Sequence, residues 1–495
     1  MLDTPTRLPA AYPLGFTPLQ LIGGTLVDSP TSFPVIDPST GEAFAICPEA
    51  TPEQLDEAVA AARRAQPAWA DTDVAVRREH VHRFADRLIE HKAEIARLIT
   101  LEQGKPYAAS VGEVQRAADS MREICTISIE NELLREDERG RVELQHRPLG
   151  VIAAIAPWNV PIALAAPKIA SALYTGNAVI LKPSSMTPLS SLLMASVTAD
   201  VLPPGLYSVL AGGGRLGGWM TDHPGIDKVN FTGSVATGKR VMVACAASLK
   251  RVTLELGGND AAIVLDDADV DEIAPKIFPA AFGLAGQVCM AIKRLYVPEP
   301  LYERMVTAMA KLATEAKLGG GFEEGVQIGP VQNSGQFAEV MALIEETKAL
   351  PGVRIAAGGH ALDRPGYFIA PTVVADIQEG TRLVDEEPFG PILPILSYKT
   401  VDEAIDRANN SIFGLGGSVW TRDLDRGAAV AARLEAGFTW VNHHVGTTRD
   451  LPFGGVKQSG MGRNGGRPGV HSDMEVQVIV VPPAPKAAAE VVNAA

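Results

Sequence analysis

The sequence predicts an α/β protein, with a doubly wound, Rossmann-like sheet domain joined to a second α/β domain. Three observations lead there. Short, almost uninterrupted apolar runs recur between residues 151 and 257, and helical patterns separate them. Strands of a parallel sheet read this way, because helices cover both faces and leave no side for polar residues. The same alternation resumes after residue 261, and a chain of 495 residues has room for about three domains.

Taken in order, the first clear element is TPEQLDEAVAAARRAQPAWA (51–70), where Thr51 and Gln54 have the spacing of a capping box at a helix N-terminus. Helical pattern continues to about Cys125. A charged stretch, 128–146, fits neither a helix layer nor a sheet layer. Then come the strand-like runs VIAAIAP (151–157), NAVILKP (177–183), YSVLAG (207–212), KVNFTG (228–233) and RVTLELG (251–257). Between them lie the helical segments IALAAPKIASALYTG, LSSLLMASVTADVL and VATGKRVMVACAAS. The second alternation begins with AAIVL (261–265), a helix near 271–284, KRLYVPE (293–299) and a long helix at 301–318. The strands VRIAAGG, FIAPTVV, PILPILSY, GGSVWT and FTWVNHH follow, interleaved with VDEAIDRANN and LDRGAAVAARLEAG. EVQVIVV (475–481) reads as a strand outside both layers, and PPAPKAAAEVVNAA as an exposed tail. No internal repeat is visible.

Composition narrows the function. Hydrophobic residues make up 46% and charged residues 21%, which suits a large core and excludes a disordered chain. The net charge of -14 argues against nucleic-acid or anionic-membrane binding, which rests on clustered positive charge. The cysteines Cys47, Cys125, Cys245 and Cys289 form no CxxC pair or zinc-like spacing, so neither a disulfide framework nor a metal site is expected. A reducing cytoplasm is the expected home. The N-terminal MLDTPTRLPAAYP lacks the order of a signal peptide. The richest apolar stretch, 161–181, is broken by Pro167, Lys168, Gly176 and Asn177 and falls short of a bilayer span.

Ligands of doubly wound sheets sit at the strands' C-terminal ends, so residues there carry the chemistry. GxGxxG is absent after the first strand; Gly212, Gly213, Gly214, Gly217 and Gly218 follow the third, where a flexible turn is an equal reading. FTGSVATGKR nearly spells a P-loop, but Arg240 stands where a magnesium-binding hydroxyl belongs. What survives is a strand–turn–helix whose amides, with Ser234, could cradle a diphosphate. Cys289 lies in AFGLAGQVCMAIKR. Lone cysteines are more often inert core residues, but Gly286 beside this one permits close approach by a ligand. Glu255 and Asn159 end strands of the first sheet. Thiol, carboxylate base and amide donor are the set that thiol acyl chemistry requires.

These residues lie in segments that resemble the aldehyde dehydrogenase superfamily over about residues 20–482. The segments are PWNVP (157–161), LKPSSMTP (181–188), FTGS (231–234), LELGG (254–258), GQVC (286–289), EEPFGP (386–391) and PFGGVKQSGMGR (452–463), in the family's order. The resemblance implies that Cys289 attacks the aldehyde, that Asn159 and the Cys289 amide hold the oxyanion, that Glu255 activates the hydrolytic water, and that Lys168 belongs to a proton relay. It implies NAD or NADP as cofactor, with Lys182 at the adenosine ribose, Ser234 at the diphosphate and Glu387 at the nicotinamide ribose. Ala156, Trp158, Ser184, Ser185, Gly213, Gly217, Phe231, Gly233, Leu256 and Phe389 complete that site. The substrate tunnel would be lined by Val160, Ala163, Leu164, Pro167, Val288, Met290, His443 and Phe453. The implied domains are a cofactor domain (1–124 and 147–257), a catalytic domain (258–458) and an oligomerisation arm with tail (125–146 and 459–495), serving a homo-dimer or homo-tetramer.

Four positions depart from the family pattern. Ser185 replaces a frequent Glu that repels a 2′-phosphate, so use of both coenzymes is expected. Asn464 replaces a Glu thought to relay protons with Lys168. Val160 replaces an aromatic, and Asn259–Asp260 alter the usual LGGK or LGGN. A CoA-acylating relative would not need Glu255, and a silent binding protein would not need Cys289; both are present. The uncharged wall Val160, Ala163, Leu164 and Pro167 predicts a bulky, mainly apolar aldehyde, aromatic, terpenoid or medium-chain, because burying an unpaired acid there would cost several kcal/mol. His443–His444 reads as a solvated loop near the tunnel mouth.

Overall fold

The computed structural model describes residues 15–483; the N-terminal segment and most of the Pro/Ala-rich tail lie outside the described residues. An eight-stranded sheet forms the first body. Its strand order is Gly460–Met461, Arg251–Glu255, Lys228–Thr232, Val151–Ile155, Ala178–Lys182, Tyr207–Val209, Gln20–Ile22 and Thr25–Val27. The five middle strands are parallel. Val151–Ile155, Ala178–Lys182 and Lys228–Thr232 are buried at every residue, as their apolar runs require. Among the parallel strands the chain begins in the middle at Val151–Ile155, runs outward one way, then returns to lay Lys228–Thr232 on the other side. That reversal opens a crevice at the C-terminal ends of these two strands.

A seven-stranded sheet forms the second body, in the order Arg354–Ala357, Thr372–Ala375, Ile392–Tyr398, Ile292–Pro298, Asp260–Val264, Gly416–Trp420 and Phe438–Val441. It is parallel except for the Arg354–Ala357 edge. Apart from both lies an antiparallel sheet of Glu132–Asp137, Gly140–Pro148 and Met474–Val481, which explains why these segments fit neither layer. Among the described residues no helix is long and apolar enough to cross a membrane.

The Thr51 cap is a complete capping box: Thr51 Oγ1 accepts from Gln54 N at 3.3 Å, and Gln54 Oε1 accepts from Thr51 N at 3.1 Å. Several sequence expectations need adjustment. The segment from 459 does not go wholly to the outlying sheet, because Gly460–Met461 pairs with Arg251–Glu255 on the first. The glycines after Tyr207–Val209 open a helix, Gly214–Asp222, rather than a flexible turn. FIAPTVV is a strand only over Thr372–Ala375, and FTWVNHH only over Phe438–Val441. Residues 20–49, unread in the sequence, supply an edge of the first sheet and a separate hairpin, Thr31–Asp37 with Glu42–Glu49.

Candidate active site

Asn159 follows Val151–Ile155 and precedes the helix Pro161–Tyr174. Its backbone is pinned from beneath by a buried ion pair. Lys105 Nζ donates to Glu113 Oε2 at 2.5 Å and to the Asn159 carbonyl at 2.8 Å. The other oxygen, Glu113 Oε1, accepts from Ile162 N at 2.9 Å and Ala163 N at 3.3 Å, capping the helix that no side chain of its own N-cap residue caps. The Asn159 amide then reaches across to the cysteine loop, where Nδ2 donates to the Gln287 carbonyl at 2.9 Å. An amide nitrogen has two hydrogens, so one donor remains.

Cys289 follows a tight turn in which Leu284, Ala285 and Gly286 have φ of 58°, 54° and 69°. Gly286 has no alternative, because a Cβ there would lie 2.1 Å from the Gly390 carbonyl. Gln287 locks the turn from inside: Nε2 donates to Leu284 O at 2.8 Å, and Oε1 accepts from Gln332 N at 2.8 Å. Cys47, Cys125 and Cys245 are buried, whereas Cys289 is half-buried and faces a cavity. Burial, with the carboxylates of Glu387, Glu255 and Asp260 nearby, pushes its thiol up to about 12.

Glu255 ends its strand, buried, with Oε1 lacking any hydrogen bond. Burial pushes its carboxyl up to about 8, against the pull of Lys168, Arg449 and Arg463. Gly454 abuts it so closely that a Cβ there would sit 2.6 Å from Oε1. Lys168 is buried and pushed down to about 7, with the charge of Glu255 opposing that fall. Its Nζ donates to Asn230 Oδ1 at 2.5 Å, and Asn230 Nδ2 donates to Asn464 Oδ1 at 2.8 Å. Lys168 and Asn464 are therefore ends of one hydrogen-bonded chain.

A cavity of about 250 Å³ occupies the crevice. Trp158, Asn159, Leu164, Gly233, Ser234, Leu256, Cys289, Glu387 and Phe389 all line it. Ser234 caps the helix Val235–Ala246 through Thr237 N at 3.3 Å, aiming that helix's free amides at the crevice. Glu387 lies against bare backbone: it accepts from Gly258 N at 3.2 Å, and a Cβ on Gly257 would fall 2.1 Å from Oε2. Burial pushes Glu387 up to about 7 while the Lys293 ammonium pulls it back. The Trp158 and Phe389 rings meet edge to face at 5.4 Å.

Other expected residues lie outside this cavity's wall. Ala156 and Phe231 are buried, the latter with its ring beneath Gly233. Lys182 is buried, its Nζ donating to Pro183 O at 3.1 Å, and its chain passes over Gly217. Gly213 faces Glu49, whose carboxylate would be 3.8 Å from a Cβ there, while Ser184 and Ser185 are half-buried in the turn after their strand.

On the substrate side, Val160, Ala163, Leu164, Val288 and Met290 are half-buried, Pro167 and Phe453 are buried, and His443 is exposed. His444 is no solvated loop residue. Its ring is buried, 4.8 Å from Trp440, with hydrogen bonds to Ser418 Oγ and the Met290 carbonyl. The sequence reading missed Lys105, Glu113 and Arg449, which are loop or helix charges with no motif to mark them. It also missed the helix Ser334–Lys348, which brings Gln336, Glu339 and Leu343 to the cavity. A signal for that helix existed in its buried Val340, Leu343, Ile344 and Thr347, spaced as one helical face. Of the helix residues Val160, Ala163, Leu164 and Pro167 only Leu164 lines the cavity, and Arg449 brings a cation towards Glu255 and Cys289 from another segment.

This fold and site define a family of oxidoreductases. The sequence matches the aldehyde dehydrogenase family over residues 26–479. It is 38% identical over 454 residues to a betaine aldehyde dehydrogenase of Cereibacter sphaeroides, covering 90% of this chain and 93% of that one. Among solved structures, the NAD+ complex of an aldehyde dehydrogenase from Bacillus cereus superposes with a TM-score of 0.92 at 36% identity, covering 95% of this chain and 97% of that one. Betaine aldehyde dehydrogenase from Staphylococcus aureus, also with NAD+, gives 0.91 at 31%, covering 96% and 97%. The chain belongs to the aldehyde dehydrogenase family.

Proposed function

We propose that this protein oxidises an aldehyde to its carboxylic acid with NAD+ or NADP+. The observation that carries the reading is the meeting of Asn159, on the first sheet, with the turn that presents Cys289, in a cavity that continues to Glu387 and Ser234. The groups present fit a dinucleotide: helix amides and Ser234 to donate to the diphosphate, Glu387 to accept from ribose hydroxyls, and bare glycine backbone where the cofactor must approach closely. Bound nicotinamide would accept the hydride. The chain supplies the rest. The Cys289 thiol passes its proton to solvent as its sulfur adds to the carbonyl carbon, and Asn159 Nδ2 with the Cys289 amide hold the oxyanion. Loss of hydride leaves a thioester on Cys289. Glu255 then takes a proton from water, the water oxygen attacks the thioester carbon, and the thiolate departs as the acid forms.

The small, uncharged helix wall and the Phe438, Trp440 and Phe453 rings support a bulky substrate body, aromatic, terpenoid or medium-chain. On the same reading the first sheet carries the coenzyme and the second carries the nucleophile. The outlying sheet, with Leu133, Val476, Val478 and Val480 exposed, would join subunits into a homo-dimer or homo-tetramer. Four free cysteines suit the cytoplasm.

The test is an aldehyde panel followed at the reduced-nicotinamide absorbance, with NAD+ and NADP+ in parallel. Cys289→Ala should abolish turnover while coenzyme still binds. Glu255→Gln should give a burst of reduced nicotinamide and then stall, because acylation does not need the deacylating base. Full activity in Cys289→Ala would end the assignment.

A further inference from the structure

We infer that Arg449 is a specificity residue, and that the substrate is an aldehyde whose apolar body also carries a carboxylate or comparable anionic group. The inference rests on the aldehyde-oxidising reading and narrows its substrate class. Arg449 lies on the loop between Phe438–Val441 and the PFGG segment, with its backbone gripped from both sides. Its N–H donates to Glu123 Oε2 at 2.6 Å, and its carbonyl accepts from Gly466 N at 2.8 Å. The grip depends on bare backbone, since a Cβ on Gly465 would lie 2.8 Å from that carbonyl. The backbone from which the guanidinium projects is therefore fixed.

The guanidinium sits beside the catalytic centre. Its carbon is 6.0 Å from the centroid of the Phe453 ring, and the next residue, Gly454, is the one pressed against Glu255. Its charge is felt by Glu255, Cys289 and Lys168. Yet among the described residues the guanidinium donates no hydrogen bond and makes no ion pair, although the residue is half-buried. Besides Glu255, the acid whose charge reaches it is Glu123, and Glu123 spends Oε2 on the Arg449 backbone. Arg463 and Lys168 add positive charge around Glu255. Five donors in a rigid fork, partly desolvated and unengaged, suit a carboxylate that arrives with the substrate. The Phe453, Phe438 and Trp440 rings, with centroids 5.9 Å and 4.8 Å apart in succession, offer the body of such a substrate an aromatic bank. The same guanidinium is poorly placed for a cationic aldehyde such as the betaine aldehyde for which some relatives are named.

The test pairs 4-carboxybenzaldehyde with methyl 4-formylbenzoate, which has the same ring but no charge, and adds betaine aldehyde. In the wild type, kcat/KM should favour the acid over the ester by roughly tenfold to a hundredfold, the range for hydrogen bonds to a charged group. In Arg449→Met the acid-to-ester ratio should collapse towards one, mainly through KM, and the ratio for betaine aldehyde over ester should rise. Arg449→Lys, which keeps the charge but not the fork, should fall between and reads the same ratio if the Met variant does not fold. An acid-to-ester ratio near one in the wild type, or a ratio that neither substitution changes, overturns the role of Arg449 and leaves aldehyde oxidation standing. Failure of the wild type to oxidise any aldehyde would overturn the reaction itself.

Discussion

Glu255 can serve as a base only as a carboxylate, and its pKa of about 8 sets when that happens. Burial raises the value, so the active form is lost as pH falls through it. Turnover limited by thioester hydrolysis should therefore rise between about pH 7 and 9, where an ordinary Glu would already be ionised. Lys168 pulls this value down. Because Lys168 is itself pushed down to about 7, its pull acts on the acidic side of the limb: Lys168→Met should deepen the loss of turnover below about pH 7, and a pH–kcat profile that stays in place would show that the two charges are not linked. Asn464 stands at the far end of the Lys168–Asn230 chain, so Asn464→Glu should also alter that profile. The coenzyme follows a similar local argument. No carboxylate at position 185 opposes a 2′-phosphate, so both coenzymes should turn over, and Ser185→Glu should raise the NAD+ to NADP+ ratio of kcat/KM several-fold. Absence of NADP+ turnover in the wild type would point instead to another acid, with Glu49 beside Gly213 the first to test. Cys289, Glu255 and Asn159 were legible in the sequence because each stands just after a strand, at its end or after a turn, with glycine beside Cys289 and Glu255 and proline on both sides of Asn159. Arg449 and Lys105 were not, since a single charge on a loop reads as solvated until the fold closes over it.

The turn before Cys289 is the most constrained element. Two non-glycine residues with left-handed φ store about 1–3 kcal/mol each, held in place by Gln287 and by the contact of Gly286 with the Gly390 carbonyl. Gly286→Ala would add a clash and a third strained residue, displacing the thiol. Turnover should drop at least a hundredfold while circular dichroism still shows a folded α/β protein; near-normal turnover would mean the turn can relax without moving Cys289. Elements buried on both faces were readable from sequence because burial writes itself as unbroken apolar runs. The strands in residues 20–49 were not. Two span only three residues each, and Thr31–Asp37 buries only Val35 and contains Pro34, so neither alternation nor a continuous run marks them.

Over the whole molecule, the outlying sheet shows valines on a strand that would otherwise face water. Exposed apolar rows of this kind are seldom left uncovered. Val478→Glu should lower the mass measured by light scattering after size exclusion, and an unchanged mass would place the subunit contacts elsewhere. The resting state of the thiol has one more consequence. Burial and the carboxylates around it push the Cys289 thiol well up, so little of it is thiolate at neutral pH. Peroxide and alkylating agents attack the thiolate, so the idle enzyme should keep its sulfur intact far longer than a free thiol would. The protein stores its reactive atom in an inert form, and whatever fills the crevice must first wake it.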